Sequence, residues 1–426
     1  MRRKTRGSSD KTDDGFKAIL KPILLLAITV FIDLLGFGII LPNLPQYVEA
    51  DPSIGADHSK AAVVGALLGA SYSITQFIFA PLWGRYSDRV GRRPVILISL
   101  IGVSLSYILF GLSQGHLWML FAARLIAGVL SSASIGVAFA YVGDVTTGAN
   151  RAKGMGILGA CFGLGFAFGP VFGGILGSWS LALPAFVAAG MAFLNFAFSF
   201  KYLPESLSVD ERKRLAETVR ETGMALVKRI FKDPAAPLFS VNFIMVFGFA
   251  AIEQVFGYFL MARGLATQSN QTMRFATIMG FVGIAGIVVQ GGLIGPIVKR
   301  FGEGGVVRVG LIILAAGYVL LLLPTVWGPG IVLGSMVLST GRSMIGPATS
   351  SLISRKTKVG QGLIQSTSSS FEALARTLGP LTAGLLFREV SPMAPYAASA
   401  GLTMLALLMT FVIRGALKID KDLEVA

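Results

Sequence analysis

Charge is what this chain has least of. Only 14% of its 426 residues are Asp, Glu, Lys or Arg, against about a quarter in an ordinary soluble protein. That argues against a fold kept in water by ionised side chains. Cysteine is nearly absent: Cys161 alone excludes an internal disulfide, and in an apolar, glycine-rich stretch it reads as a small packed thiol. The two histidines, His58 and His116, fall in expected external loops, where solvation accounts for them. Two isolated histidines make a poor metal site, so no metal is expected. The sequence holds no Gly-x-x-x-x-Gly-Lys-Ser/Thr phosphate loop, no metal-ligand cluster, no nucleophile triad and no appended soluble domain. These absences argue against direct ATP coupling and against an enzyme, and they leave no cofactor to place.

What is present is apolar: 54% of the residues, laid out in long unbroken blocks rather than periodic faces. A hydrocarbon core about 30 Å thick needs about 20 apolar residues per helix. Twelve such blocks lie near 20–45, 61–83, 94–113, 118–143, 154–178, 181–203, 237–262, 273–298, 305–324, 330–352, 362–387 and 394–415. The expected fold is therefore an all-α membrane protein with twelve transmembrane helices. The net charge of +15 suggests nucleic acid until its placement is examined. All but seven of the 37 lysines and arginines fall in segments on one side of the membrane. Lys60, Arg263, Arg274 and Arg388 lie on the other, and Arg124, Arg342 and Arg376 fall inside helices. This positive-inside asymmetry puts both termini in the cytoplasm, with a secondary affinity for anionic lipid. The first block is too long for a signal-peptide core and is read as a retained span.

The boundaries follow. A polar N-terminal tail (1–19) precedes a first six-helix bundle (20–203), a cytoplasmic linker (204–236), a second six-helix bundle (237–415) and a C-terminal tail (416–426). In the linker Ser208 and Glu211 have capping-box spacing. Leu215, Val219, Leu226 and Ile230 follow a rough helical stripe, which fits either an amphipathic surface helix or a solvated connection. The halves echo each other. Gly84 to Gly91 after the second helix has the spacing of Gly295 to Gly302 after the eighth, with Arg89 matched by Arg300. Phe168-Gly169-Pro170 is echoed by Leu378-Gly379-Pro380. Repeated six-helix units carry a site between them near mid-membrane.

Three motifs carry a resemblance. The loop Gly84-Arg85-Tyr86-Ser87-Asp88-Arg89-Val90-Gly91-Arg92-Arg93-Pro94 resembles the signature loop of the major facilitator superfamily. Glycines permit a tight turn, and Asp88 can accept bonds from a helix N-terminus or pair with an arginine. The resemblance implies a conformational latch (Gly84, Asp88, Arg89, Gly91, Arg92, Arg93, with Asp144) that favours the outward-facing state and does not bind substrate. In the fifth helix Gly156, Gly165, Gly169, Pro170, Gly173 and Gly174 look like the antiporter motif of the drug/proton exporters. Gly165, Gly169, Gly173 and Gly177 recur every four residues, where small residues let helices approach closely, and Pro170 removes a backbone donor. The first helix, Phe31-Ile32-Asp33-Leu34-Leu35-Gly36-Phe37-Gly38 onward, with Gln76, Pro81, Arg124, Gly128 and Asp144, is similar to the tetracycline/proton antiporters and their multidrug relatives. The match is clear over 21–205 and weaker over 237–390. Where the tetracycline exporters carry an acidic residue in the third helix, this chain has Ser106, which puts tetracycline specificity in doubt.

The resemblance implies the major facilitator fold and a proton-driven exporter of small amphipathic drugs, working by alternating access as a monomer in the bacterial inner membrane. The alternative is a proton-coupled metabolite or lipid transporter, including a symporter. Ionisable groups inside a membrane are functional candidates by default, and burial favours the neutral form of a carboxyl group. Asp33 is the first choice for carrying the proton. Arg124 is either linked to proton transfer, as its family counterpart is, or one side of a structural ion pair. Glu253 either carries a proton or cation or is a hydrogen-bonded structural acid. Glu372 and Arg376, four apart, can pair on one helix face. Arg342 has no partner on its own helix, which leaves an anionic substrate open. The candidate substrate cavity comprises Asp33, Gln76, Ser106, Glu253, Gln254, Gln290 and Arg342, and the 30 phenylalanines and 14 methionines suit a greasy, adaptable pocket.

Overall fold

The computed structural model describes residues 9–55, 57–146, 148–217, 232–323, 326–356 and 361–412. Among them every regular element is helical, as a chain crossing lipid requires, because each backbone donor and acceptor must be satisfied within its own segment. The first half contains α1 (Ser9–Ile40), α2 (Leu44–Glu49), α3 (His58–Val90), α4 (Arg92–Leu112), α5 (Leu117–Val145), α6 (Gly148–Trp179) and α7 (Leu183–Tyr202). A short α8 (Val209–Glu217) follows. The second half contains α9 (Ala236–Ala262), α10 (Gln271–Val288), α11 (Ile294–Leu322), α12 (Pro329–Lys356), α13 (Gln361–Glu389) and α14 (Ala394–Val412).

Several helices outrun the apolar blocks that announced them. Block ends mark where hydrocarbon stops, whereas a helix continues into the polar zone until a residue breaks it. Thus α3 passes straight through Gly84 and stops only at Gly91, so the signature loop is mostly helix and turns on one residue. Gly91 has φ 109° and ψ 162°, a conformation that favours glycine. The second half repeats the device at the matching position. Gly302, with φ 67° and ψ 163°, breaks α11 inside its length, so 271–301 and 303–322 are separate spans. A π-turn at Val289–Leu293 joins α10 to α11. Conversely, Pro42 and Pro45, which lack the donor a helix interior needs, end α1 early in a 3-10 turn before α2.

Among the described residues nine helical stretches are long and apolar enough to cross a membrane, and the longest, Gln271–Leu322, is the one divided at Gly302. With the more polar α12 and α13 they give the twelve spans of the expected fold. In the first half α1 packs on α6 and α7, and α4 on α5 and α7. In the second, α9 packs on α13 and α14, and α11 on α12 and α14. The halves meet chiefly where α3 crosses α13 and α9, and where α6 crosses α10. Exposed leucines such as Leu105, Leu194 and Leu408 form the lipid-facing surface.

The linker begins as expected. The Ser208 hydroxyl accepts from the Glu211 amide at 3.2 Å while Glu211 accepts from the Ser208 amide at 2.9 Å, a reciprocal capping box. Val219, Leu226 and Ile230 lie outside the described residues, as do 1–8 and the tail 416–426.

Candidate functional site

Two helices, one from each half, define a cleft. On α6, Gly156 and Gly174 stand eighteen residues apart, five full turns at 3.6 residues per turn, so they share a face, and Gly163 and Ala167 fall on it too. At one end this face is closed against α10. A Cβ on Gly174 would strike Ala276, and one on Gly283 would come within 2.8 Å of the Ala167 methyl. Toward the other end the helices part, and Gly156 and Gly163 on α6, like Gly291, Gly292 and Gly295 across from them, have no neighbour within 4 Å of that position. The closed end holds further bridges between the halves. Gln46 donates to the Gln268 carbonyl at 3.0 Å, Thr272 donates to the Pro42 carbonyl at 3.4 Å, and Gly65 lies under the Tyr258 ring. The open end is the one that carries the Gly91 and Gly302 turns and most of the basic residues.

The other glycines of the α6 motif face elsewhere. Gly165, Gly169 and Gly173 press on the backbone of α1 at Phe31, Leu35 and Ile39, and Gly177 on Asn43. Asn43 donates to the Gly173 carbonyl at 3.0 Å. The motif therefore serves two surfaces: Gly165, Gly169 and Gly173 hold α6 against α1, while Gly156 and Gly174 look toward the second half. Pro170 sits against Gly38, at 2.8 Å from where a Cβ would be.

Six ionisable side chains lie in the spans around this cleft. Asp33 is buried between α1 and α5; Ser134 donates to one carboxylate oxygen, and the other, Oδ1, has no partner. Arg124 is also buried. It forms no ion pair with a described carboxylate; its guanidinium lies 5.1 Å from the Phe110 ring, 5.8 Å from Phe37 and 5.9 Å from Tyr72. Aromatic quadrupoles stand where a counter-charge was the alternative. Glu253 is half-buried with Oε1 unpartnered. Arg342 stacks on Phe249 at 3.9 Å and lies 5.7 Å from Phe166, a residue of the opposite half. Glu372 and Arg376 do pair, at 3.8 Å, and Asn242 donates to Glu372 at 2.8 Å.

Two cavity candidates are misplaced by sequence. Ser106 is buried and donates to the Val103 carbonyl at 2.7 Å; a helical serine satisfies its hydroxyl this way, so it does not line the cleft. Gln254 is buried against Gly69 where α9 crosses α3. Gln76 is half-buried on α3, and Gln290 is exposed in the π-turn near the open end. Phe166 and Phe249 were not singled out, since nothing distinguishes them among 30 phenylalanines.

A sequence model described as Major Facilitator Superfamily matches residues 26–361. The chain belongs to that superfamily, whose members are transporters. Curated relatives include "Multidrug resistance protein 2" of Bacillus subtilis, 29% identical over 85% of this chain and 88% of that one. "Tetracycline resistance protein, class E" of Escherichia coli is 33% identical over 86% and 88%. Among solved structures, the human organic anion transporter MFSD10 aligns with a TM-score of 0.67 at 24% identity, over 93% of this chain and 98% of that one. The nucleoside transporter NupG aligns at 0.71 and 14%, over 92% and 99%. Both structures share the fold.

The superfamily's signature loop forms a charged knot at the open end. Arg92 pairs with Asp88 at 2.7 Å and Asp144 at 3.0 Å and donates to Ser87 at 2.6 Å. Arg93 donates to the Phe200 carbonyl at 2.6 Å. The knot has a member that sequence missed. Glu205, just past α7, accepts from the Arg92 amide at 2.8 Å and the Arg93 amide at 3.2 Å. It caps the start of α4 and pairs with Arg212 of α8 at 3.6 Å. Gly84 touches nothing at its Cβ position and Arg89 is exposed, so neither joins the knot. In the second half the same turn is built with charges exchanged: buried Glu303 follows Gly302, accepts from Ser351 at 2.5 Å and pairs with Arg355 at 3.6 Å.

His58 corrects a second expectation. It opens α3 rather than standing in solvent, and its Nδ1 lies 2.7 Å from Glu49, whose side chain is only 1% exposed. His116 is exposed as expected.

Proposed function

We propose that this chain is a proton-coupled antiporter that exports small amphipathic compounds by alternating access. The observation that carries the reading is Asp33: a carboxyl group shut inside the first helix bundle, with one oxygen held by Ser134 and the other without a partner. Such a group can take and give up a proton without breaking a salt bridge. Arg124, Glu253 and the arginine-bearing α12 complete the electrostatic surroundings, and the resistance proteins among the relatives support drug-like cargo. The basic end faces the cytoplasm under the positive-inside rule, so the cleft described above is the inward-facing state, in a bacterial inner membrane with both termini inside. The Asp88–Arg92–Asp144 knot is then the part that engages the second half when the inner end closes. The proton gradient is the energy source and no cofactor takes part.

The test is proton movement in inverted vesicles, followed with a pH-sensitive dye during addition of a panel of cationic and neutral drugs. Expected is collapse of the gradient by some compounds with wild type and none with Asp33→Asn. Folded, inserted protein that moves no protons with any compound would put a metabolite or lipid carrier in its place.

A further inference from the structure

Arg342 is placed as a binding group rather than as a structural one. A guanidinium inside a membrane protein is costly and marks a functional site by default. Arg342 forms no ion pair or hydrogen bond with any described residue, and its Nε is buried without a partner. The residue as a whole is only half-buried, which leaves part of the side chain open to a ligand. Arg376, by contrast, is answered by Glu372 on its own helix. Arg342 also stands where the halves face each other, flat on Phe249 of α9 and opposite Phe166 of α6, whose rings are 6.2 Å apart. Just beyond, toward the closed end, Ala167 meets Gly283. The guanidinium and the two rings therefore lie at the depth where the cleft runs out.

We propose that Arg342, Phe166 and Phe249 form a subsite for an organic anion: the guanidinium fork takes a carboxylate or sulfonate, and the two rings take the apolar body. A planar fork of donors matches such a group in bidentate geometry, and the rings offer stacking surface. The subsite rests on the reading of the cleft as the substrate path and narrows that path's cargo to include acidic amphipaths. Glu253 is the built-in competitor. It stands one helical turn along α9 from Phe249, the ring on which Arg342 lies, and the other charged or titratable groups around the pair are Arg376 of α13, Arg124 of α5, Tyr318 of α11 and Glu372. While Glu253 is ionised it offsets the charge that an anion would seek. Once protonated, it leaves Arg342 unopposed, so anion binding strengthens as pH falls.

The measurement is equilibrium binding to purified full-length protein, with two permanently charged probes that cannot change protonation themselves: radiolabelled naphthalene-2-sulfonate and the cation tetraphenylphosphonium. Wild type is expected to bind the sulfonate more tightly at about pH 6 than at about pH 8, because a proton on Glu253 removes the competing charge. Arg342→Gln should weaken sulfonate binding by at least about tenfold and tighten tetraphenylphosphonium, because a like charge has gone. Glu253→Gln should bind the sulfonate at pH 8 as wild type does at pH 6. Where Arg342→Gln fails to elute as a folded monodisperse protein, Arg342→Lys takes its place, with a smaller loss. Sulfonate binding that ignores both substitutions overturns the subsite. So does wild type that binds tetraphenylphosphonium but no sulfonate, a result that leaves the cleft as a substrate path intact. If neither probe binds, both readings fall.

Discussion

Asp51 ties the start of α5 to the turn that precedes α3 through one side chain. It accepts from the Leu117 amide at the head of α5 at 3.0 Å and from the amide and hydroxyl of Ser53 at 2.9 and 2.6 Å. Asp57 caps α3 by accepting from Ser59 and Lys60, each at 3.1 Å. These bonds favour the ionised form, so both carboxyls are held below the ordinary range, Asp51 chiefly by Ser53 and Asp57 chiefly by the Lys60 amide. For a depressed acid, the stabilisation is complete above the unfolded value, about 3.9, and is lost as pH falls through the lower folded value. Hydrogen exchange at Leu117, Ser59 and Lys60 should therefore stay slow down to the ordinary carboxylate range and accelerate below it; unchanged protection in acid would contradict the assignment. Single residues are also where sequence reading fell short. Asp33, Asp88 and Arg92 were legible because their types are rare inside a membrane or fixed in a motif. Glu205 was not, because one acid in a charged linker has no distinguishing pattern, and its role arises only when α7 ends beside the start of α4. Ser106 was misread for the same reason: its position in the helix was known, but the carbonyl it would choose was not.

At the scale of the element, α6 shows what spacing can and cannot convey. The four-residue recurrence of Gly165, Gly169, Gly173 and Gly177 foretold a close helix contact, and α1 is the partner. That Gly156 and Gly174 look the other way follows from the 100° step between neighbours in a helix, but which surface faced which half needed the assembled bundle. The two roles separate experimentally. A Cβ at Gly169 would lie 2.7 Å from the Leu35 carbonyl and 2.8 Å from the Gly38 Cα, backbone atoms that cannot step aside. Gly169→Val should therefore destabilise the protein by about 1–3 kcal/mol, read as a lower midpoint in thermal unfolding. Gly156→Ala, with open space around it, should leave the midpoint where it is. Equal shifts would mean that the α1 contact is not what the periodicity secures. The apolar blocks located every span, yet they missed the helix ends, because hydrophobicity reports where lipid stops while Gly91, Gly302, Pro42 and Pro45 decide where the helix stops.

For the whole molecule, the open face of α6 implies a second arrangement in which it is covered. A protein with Cys161→Ser and paired Gly156→Cys and Gly291→Cys substitutions should cross-link poorly with a short bifunctional reagent at rest. It should cross-link faster during turnover, when the inner end closes. Cross-linking at one rate in both conditions would mean that these walls do not converge. The six-plus-six plan was legible in the echoed glycine pairs, since Gly91 and Gly302 each need a conformation that few other residues accept. The exchange of charge between the two turns, Arg92 with Asp144 against Glu303 with Arg355, was hidden because a repeat scan matches like with like. The bare glycines at the open end have a consequence of their own. Gly156, Gly159 and Gly163 on one wall and Gly291, Gly292 and Gly295 on the other leave strips of bare backbone along both sides of the doorway. Along these strips the walls meet a passing molecule with shape rather than with side-chain chemistry. Finer discrimination is left to the aromatic and charged groups at the bottom, so a change of cargo can be made there without rebuilding these walls.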